Sequence, residues 1–148
     1  MSEVKAPTIE EIEAEWAKDS KLEKSTIAEQ SLETDYIHAK YLKLYRLCKD
    51  QYMRLTRTLD RMEFDAREYY SGKASDAAYK KKPFDKKVMK QDLDKYVRVD
   101  PDVVKVSIAT DKVKLKIELC ESIIKQLSYR SFTIKNTIAY LQFLSGNV

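Results

Sequence analysis

Apolar residues recur along this chain at alternating steps of three and four, which is the spacing of an amphipathic helix. The longest series starts at Val103 and reaches Ser145, and ten of its thirteen positions are apolar. Asp100 is a good N-cap residue and Pro101 suits the first helical position, so the pattern predicts a long C-terminal helix over residues 101–145. A strict heptad repeat of this length favours a left-handed supercoil.

Two further helices are predicted upstream of this one. Thr8 and Glu11 have the spacing of a capping box, and they open a short acidic helix over residues 8–18. A long helix follows over residues 25–71, and Gly72 is its C-terminal stop.

A polar, basic connector, residues 73–99, separates the two long helices, and one short helix is expected in it at about residues 85–96. The 148 residues include only 2 Gly and 3 Pro, which are too few for a loop-rich or β-sandwich fold. The sequence therefore predicts a single all-α domain over residues 1–148. Its long helices are expected to form a helical hairpin within a coiled-coil-like oligomer.

The C-terminal helix carries two apolar stripes, because a second series that includes Ile108, Leu115 and Phe132 lies beside the heptad series. An antiparallel hairpin with helix 25–71 would bury one stripe and leave the other exposed. Self-association covers the exposed stripe; the alternative is that the short acidic helix covers it within one subunit. We expect a homo-oligomer, with an interface at Val113, Ile117, Cys120, Ile124, Leu127, Ile134, Ile138, Leu141, Phe143 and Leu144.

Charge is unevenly distributed along the chain, whose net charge is +4. Residues 1–30 contain four lysines against eight acidic residues, whereas residues 73–98 contain nine Lys or Arg against four Asp. Aromatic residues interleave with the cations around the connector, and such a composition suits single-stranded nucleic acid, since rings stack on bases and cations follow phosphates. It equally suits a solvated connector between helices. The candidate DNA contacts are Arg61, Arg67, Tyr69, Tyr70, Lys73, Lys80, Lys81, Lys82, Lys86 and Lys87.

Catalytic and metal-binding patterns are absent from the sequence. His38 is the only histidine, and Cys48 and Cys120 fall on apolar helical positions, where buried free thiols are expected. With glycine only at positions 72 and 146, there is no phosphate-cradling loop. We therefore expect a protein that is not an enzyme, binds no cofactor or metal and, lacking a long apolar run, does not enter a membrane.

Three runs in this order resemble the UvsY family of recombination mediators of T-even-type phages. They are Glu68-Tyr-Tyr-Ser-Gly, Asp100-Pro-Asp-Val-Val-Lys-Val and Ser128-Tyr-Arg-Ser-Phe-Thr-Ile-Lys-Asn, and the similarity covers most of residues 8–146. In one departure from the family pattern, Phe64 and Ala66 stand where basic residues tied to DNA binding are expected.

The resemblance implies a non-enzymatic protein that forms a ring-like oligomer through its C-terminal part and binds, often wraps, single-stranded DNA. It also implies two protein partners, a RecA-like (UvsX-like) recombinase and the single-stranded-DNA-binding protein that this recombinase replaces on the strand. The implied location is the cytoplasm of the infected bacterial host cell. The alternative hypothesis is a helical scaffold or assembly protein with no DNA role.

Overall fold

The computed structural model describes residues 5–146, and all regular structure within them is helical, which confirms the predicted all-α class. The described residues divide into two compact units: residues 5–49 with 114–146, and residues 50–113. The helices are α1 (Ile9–Asp19), a 3₁₀ turn (Lys24–Thr26), α2 (Ile27–Tyr70), α3 (Asp76–Lys81), α4 (Leu93–Arg98) and α5 (Pro101–Leu144). Both α2 and α5 contribute residues to each unit.

Helix α1 begins with the hydrogen bond expected of its capping residue. The Thr8 hydroxyl accepts from the Glu11 amide at 3.2 Å, which satisfies one of the free N–H groups of the first turn. The apolar face of α1 packs into the first unit through Ile12, which is almost completely buried. The Trp16 ring meets the edge of the Tyr41 ring, with centroids 5.6 Å apart.

The core of the first unit joins α1, α2 and α5. Its buried residues are Ile12, Ile37, Tyr41, Ile123 and Leu127. The segments of α2 and α5 run antiparallel here, because Gln30 pairs with Arg130 whereas Tyr45, further along α2, pairs with Glu121, earlier on α5. The hairpin pairing is therefore present within this unit.

Arg130 is a buried cation that joins α5 to the end of α1 and the start of α2. Its guanidinium donates to the carbonyl of Asp19 at 2.6 Å and to the carbonyl of Gln30 at 3.3 Å, while its Nε has no hydrogen-bond partner among the described residues. The Gln30 side chain in turn accepts from the Glu23 amide and donates to the Lys21 carbonyl. The end of α1 and the start of α2 are thus held to one point on α5.

The second unit is built around the C-terminal end of α2 and the first turns of α5. Its buried apolar residues are Ala66, Tyr70, Val97 and Val103. Pairing is again antiparallel in sense, since Tyr70, the last residue of α2, bonds to Asp100, which caps the start of α5. The connector, with α3 and α4, lies between these two residues in the sequence.

Candidate nucleic-acid interface

Directly after α2, a residue in the left-handed conformation turns the chain into the connector. Gly72 has a φ of +83°, which glycine adopts at little cost. The Lys73 amide donates to the Glu68 carbonyl at 2.9 Å and the Gly72 amide to the Tyr69 carbonyl at 3.3 Å, so the last carbonyls of the helix are satisfied. The stop predicted from the sequence is present at this residue.

Five aromatic rings pack together beside this helix end, and we call them the aromatic cluster: Tyr69, Tyr70, Tyr79, Phe84 and Tyr96. Neighbouring centroids lie 5.0 to 6.2 Å apart, within the range of favourable ring contacts. The Tyr79 hydroxyl donates to the Tyr69 carbonyl at 2.6 Å, and the Tyr69 hydroxyl donates to the Lys82 carbonyl at 2.8 Å. These contacts fold the connector back onto α2.

A buried hydrogen bond joins the residues that flank the connector, Tyr70 at the end of α2 and Asp100 at the start of α5. The Tyr70 hydroxyl donates to the Asp100 carboxylate at 2.8 Å, and the same carboxylate accepts from the amides of Asp102 and Val103 at the start of α5. Burial and the bond to Asp100 raise the pKa of Tyr70 to about 12. Asp100 is therefore both the helix cap that was predicted and the partner of a buried tyrosine.

The short helix expected at residues 85–96 is wrong in position, and two short helices are present instead. Helix α3 starts where the Ser75 hydroxyl accepts from the Ala78 amide at 3.3 Å. It ends at Lys81, and the next residue, Lys82, is extended because Pro83 follows it. Helix α4 begins only at Leu93, after a turn in which the Asp92 amide donates to the Met89 carbonyl at 2.9 Å.

The lysines of the connector point to solvent. All seven between α2 and α4 are exposed: Lys73, Lys80, Lys81, Lys82, Lys86, Lys87 and Lys90. The Lys82 ammonium lies 5.4 Å from the centroid of the Tyr69 ring. Rings on the inside and lysines on the outside give this segment a cationic surface on an ordered base.

The two arginines predicted as DNA contacts are both held by carboxylates. Arg67 bonds to Asp94 of α4 at 2.6 Å, and Arg61 lies 3.4 Å from Asp65 one turn along α2. Both pairs are exposed, so each contributes little stability but reduces the positive charge offered to a phosphate. The sequence did not indicate that Asp94 would pair with Arg67. The pair of Arg61 and Asp65 could have been predicted, because residues four apart are neighbours on a helix.

The predicted aromatic contacts differ in accessibility. Tyr70 is only 9% exposed and belongs to the core of the second unit, so its ring offers little surface on which a base could stack. Tyr69 is half-buried. Two residues depart from the family pattern, Phe64 and Ala66. Ala66 is buried, whereas Phe64 is exposed and the Arg61 guanidinium lies over its ring, 5.9 Å from the ring centroid.

The predicted oligomer contacts also separate by exposure. Half are buried within one chain: Val113, Ile117, Cys120, Leu127 and Ile134. Ile124 and Leu141 are half-buried, and Ile138, Phe143 and Leu144 are exposed. Helix α1 packs against α5 at Ile123, which also belongs to the second apolar series, but Ile108, Leu115, Phe132 and Tyr140 stay exposed. The free apolar surface is therefore the second stripe and the last turns of α5.

The two cysteines, Cys48 and Cys120, are free and buried, as predicted. Within residues 5–146 no three His, Cys, Asp or Glu side chains are grouped so as to hold a metal ion. None of the described helices combines the length and the apolar character needed to cross a bilayer.

Comparison with known proteins matches this arrangement to one family. A family model described as recombination, repair and ssDNA binding protein UvsY matches residues 15–147. No curated protein matches the sequence.

The fold is similar to crystal structures of the bacteriophage T4 recombination mediator protein UvsY in three lattices. Lattice type II has a TM-score of 0.82 at 18% identity and covers 94% of this chain and 98% of that one. Lattice type IV has 0.80 at 17%, covering 93% and 98%. Lattice type I has 0.80 at 18%, covering 89% and 97%. At such identities the similarity is one of fold.

Proposed function

The chain belongs to the UvsY family, and from this premise we propose that it is a recombination mediator. In this role it binds and wraps single-stranded DNA and promotes the loading of a RecA-like recombinase in place of the single-stranded-DNA-binding protein. It acts by binding and not by catalysis. It works where phage recombination takes place, in the cytoplasm of the infected bacterial cell.

The observation that carries the proposal is the exposed lysine surface of the connector. Residues 73–98 contain nine Lys or Arg against four Asp, and the lysines before α4 are all exposed. Cations on an ordered segment follow the phosphates of a strand whatever its sequence. The aromatic cluster packs on the side of the connector away from the lysines and holds its backbone in place, so the connector loses little conformational freedom when DNA binds.

We further propose that several chains assemble into a ring through the exposed apolar surface of α5. Phe132, Tyr140, Phe143 and Leu144 are each more than half exposed, which is unfavourable for a lone chain in water. Each added copy brings another lysine surface. Several weak sites linked in this way hold one long strand tightly.

Neutralising the lysines tests the DNA role. In the variant Lys80→Gln, Lys81→Gln, Lys82→Gln we expect weaker binding of a labelled oligothymidylate. The logarithmic salt slope should be smaller by about 2, since each phosphate that a lysine no longer neutralises lowers it by about 0.7. The matched control removes three exposed lysines of α5, Lys105, Lys112 and Lys114, in the same way. Equal effects in the two variants would mean that net charge alone, and not the connector, determines binding.

The loading step has its own assay. We expect the protein to shorten the lag before a RecA-like recombinase hydrolyses ATP on DNA already coated with the single-stranded-DNA-binding protein. The connector variant should leave the lag unchanged from that without mediator, while the α5 control shortens it. Tight DNA binding with no effect on the lag would contradict the mediator role.

The oligomer is tested on residues whose change leaves the chain folded. Phe143→Asp with Leu144→Asp should give smaller species in light scattering with an unchanged helical spectrum, because both side chains are exposed. Leu127→Asp is unsuitable, since Leu127 is buried and the change would unfold the first unit. A wild-type chain that is monomeric would refute the ring.

The scaffold hypothesis stays as a second candidate because of one observation: the carboxylates of Asp94 and Asp65 already neutralise Arg67 and Arg61. A scaffold would assemble normally and bind no DNA. Light scattering together with oligothymidylate binding on the same sample separates the two functions.

A further inference from the structure

A cavity of about 520 Å³ opens between the end of α2 and the start of the lysine run. Gly72, Tyr79 and Phe84 line it, together with the exposed residues Asp85, Lys86 and Lys87, which we call its rim. Small-molecule pockets typically measure about 300–1,000 Å³, so one nucleotide fits this volume.

The rings that line the cavity are fixed from the opposite side. Tyr79 lies nearly parallel to Tyr69 at 5.3 Å, and its hydroxyl is held by the Tyr69 carbonyl. Phe84 meets the edge of the Tyr70 ring at 5.1 Å. Both lining rings are half-buried, so each keeps exposed surface while the cluster holds its position. A ring held in this way loses little freedom when a base packs against it.

The rim of the cavity carries a net positive charge. Lys86 and Lys87 are exposed and reach solvent at its edge, against the single carboxylate of Asp85. Two ammonium groups attract a phosphate, and the carboxylate is an acceptor for an N–H group of a base, such as the ring N–H of thymine. The space beside Gly72 is open, because a Cβ built there would meet nothing within 4 Å. Rings, cations and open space thus meet in one place.

We propose that this cavity receives one nucleotide of the bound strand, with its base against Tyr79 and Phe84 and its phosphate at Lys86 and Lys87. The inference rests on the proposed function, because the nucleotide belongs to single-stranded DNA. It adds a base contact to a surface that otherwise offers only phosphate contacts. The protein then distinguishes a strand with bases from a bare sugar–phosphate chain.

The test compares two strands of about ten nucleotides, a length within the range of known single-stranded-DNA sites. One is oligothymidylate and the other is its abasic counterpart with the same phosphates. We expect the first to bind roughly tenfold more tightly, which is the effect of about one stacked base. Equal binding of both strands overturns the pocket but leaves the proposed function intact, whereas binding of neither overturns both.

Two matched variants assign the difference to the cavity. Lys86→Met with Lys87→Met should abolish the preference for bases, because without the phosphate contact at the cavity the base is no longer held against Tyr79 and Phe84. Lys80→Met with Lys81→Met removes the same charge outside the cavity and should keep the preference. Neither pair touches the aromatic cluster, so both variants are expected to fold. Phe84→Leu, checked by its thermal unfolding, should also lower the preference. A preference that survives in the Lys86, Lys87 variant refutes the assignment.

Free thymidine monophosphate distinguishes a strand site from a site for a free nucleotide. We expect it to compete with the oligonucleotide only weakly, because it lacks the neighbouring phosphates that the other lysines bind. Complete displacement of the strand by the monophosphate at concentrations near the Kd of the strand would overturn the proposal.

Discussion

Replacing Asp100 by alanine removes the hydrogen bonds of the carboxylate that joins the two ends of the connector. We expect a loss of stability that is largest in the connector. The carboxylate caps α5 through the amides of Asp102 and Val103 and accepts the Tyr70 hydroxyl at 2.8 Å. Both Asp100 and Tyr70 are buried, so the hydroxyl left behind has no partner and little access to water.

The magnitude follows from these two losses. A missing N-cap costs about 0.5–2 kcal/mol, and a buried hydroxyl without a partner costs about 1–3 kcal/mol. Because the two effects share one carboxylate, they add incompletely, and Asp100→Ala should cost about 2–4 kcal/mol. Tyr70→Phe removes only the bond to the carboxylate and should cost about 1.5–3 kcal/mol, the range for bonds to charged groups.

Urea unfolding followed by circular dichroism measures these costs, and hydrogen exchange locates them. We expect amides of residues 73–99 to lose more protection than those of α1. Asp102→Ala is the matched control: its side chain is exposed in the same helical turn, and its loss should cost under about 1 kcal/mol, a helix-dipole effect. If Asp100→Ala and Asp102→Ala lowered the free energy of unfolding by the same small amount, the hydrogen bonds of Asp100 would not stabilise the connector and the reasoning would be refuted.

Two further predictions concern buried polar groups. The pKa of Tyr70 is raised from 10.0 to about 12 in the folded chain, so the folded state keeps a proton that the unfolded state loses. Its stabilisation is complete below about pH 10 and is lost as the pH rises through about 12, so alkaline unfolding curves should be less steep in Tyr70→Phe; parallel curves would contradict this. Arg130→Met should cost about 1–3 kcal/mol, because two hydrogen bonds are lost while the desolvation cost of a buried charge is relieved. Trypsin should then cut faster near Asp19, whose carbonyl Arg130 holds, and an unchanged cutting rate would show that α1 is fixed by its apolar face alone.

The ends of the main helices could be predicted because each depends on one residue and its immediate neighbours. Thr8 caps α1, Asp100 caps α5, and Gly72 takes the positive φ that ends α2. These are local effects of side-chain oxygen atoms and of backbone freedom. They act in the same way whatever the rest of the chain does.

The connector could not be predicted in the same way, because its structure depends on rings far apart in the sequence. Tyr70 and Tyr96 meet at 5.6 Å although 26 positions separate them, and no periodic pattern relates them. The ion pair of Arg67 with Asp94 depends on the same folding back of the chain. The choice between the two stripes of α5 was open for another reason: both are apolar, and only the packed structure decides which one is covered.

Binding and stability are separable in the connector, and this determines which variants are informative. The rings of the aromatic cluster and the Tyr70–Asp100 bond hold the segment, whereas the lysine side chains are exposed and contribute to the cluster only where Lys82 lies over Tyr69. Removing a ring therefore changes the fold and the binding surface together, and loss of DNA affinity in such a variant has two explanations. Removing the charge of the connector lysines other than Lys82 leaves the packing in place, so a change in affinity has one explanation.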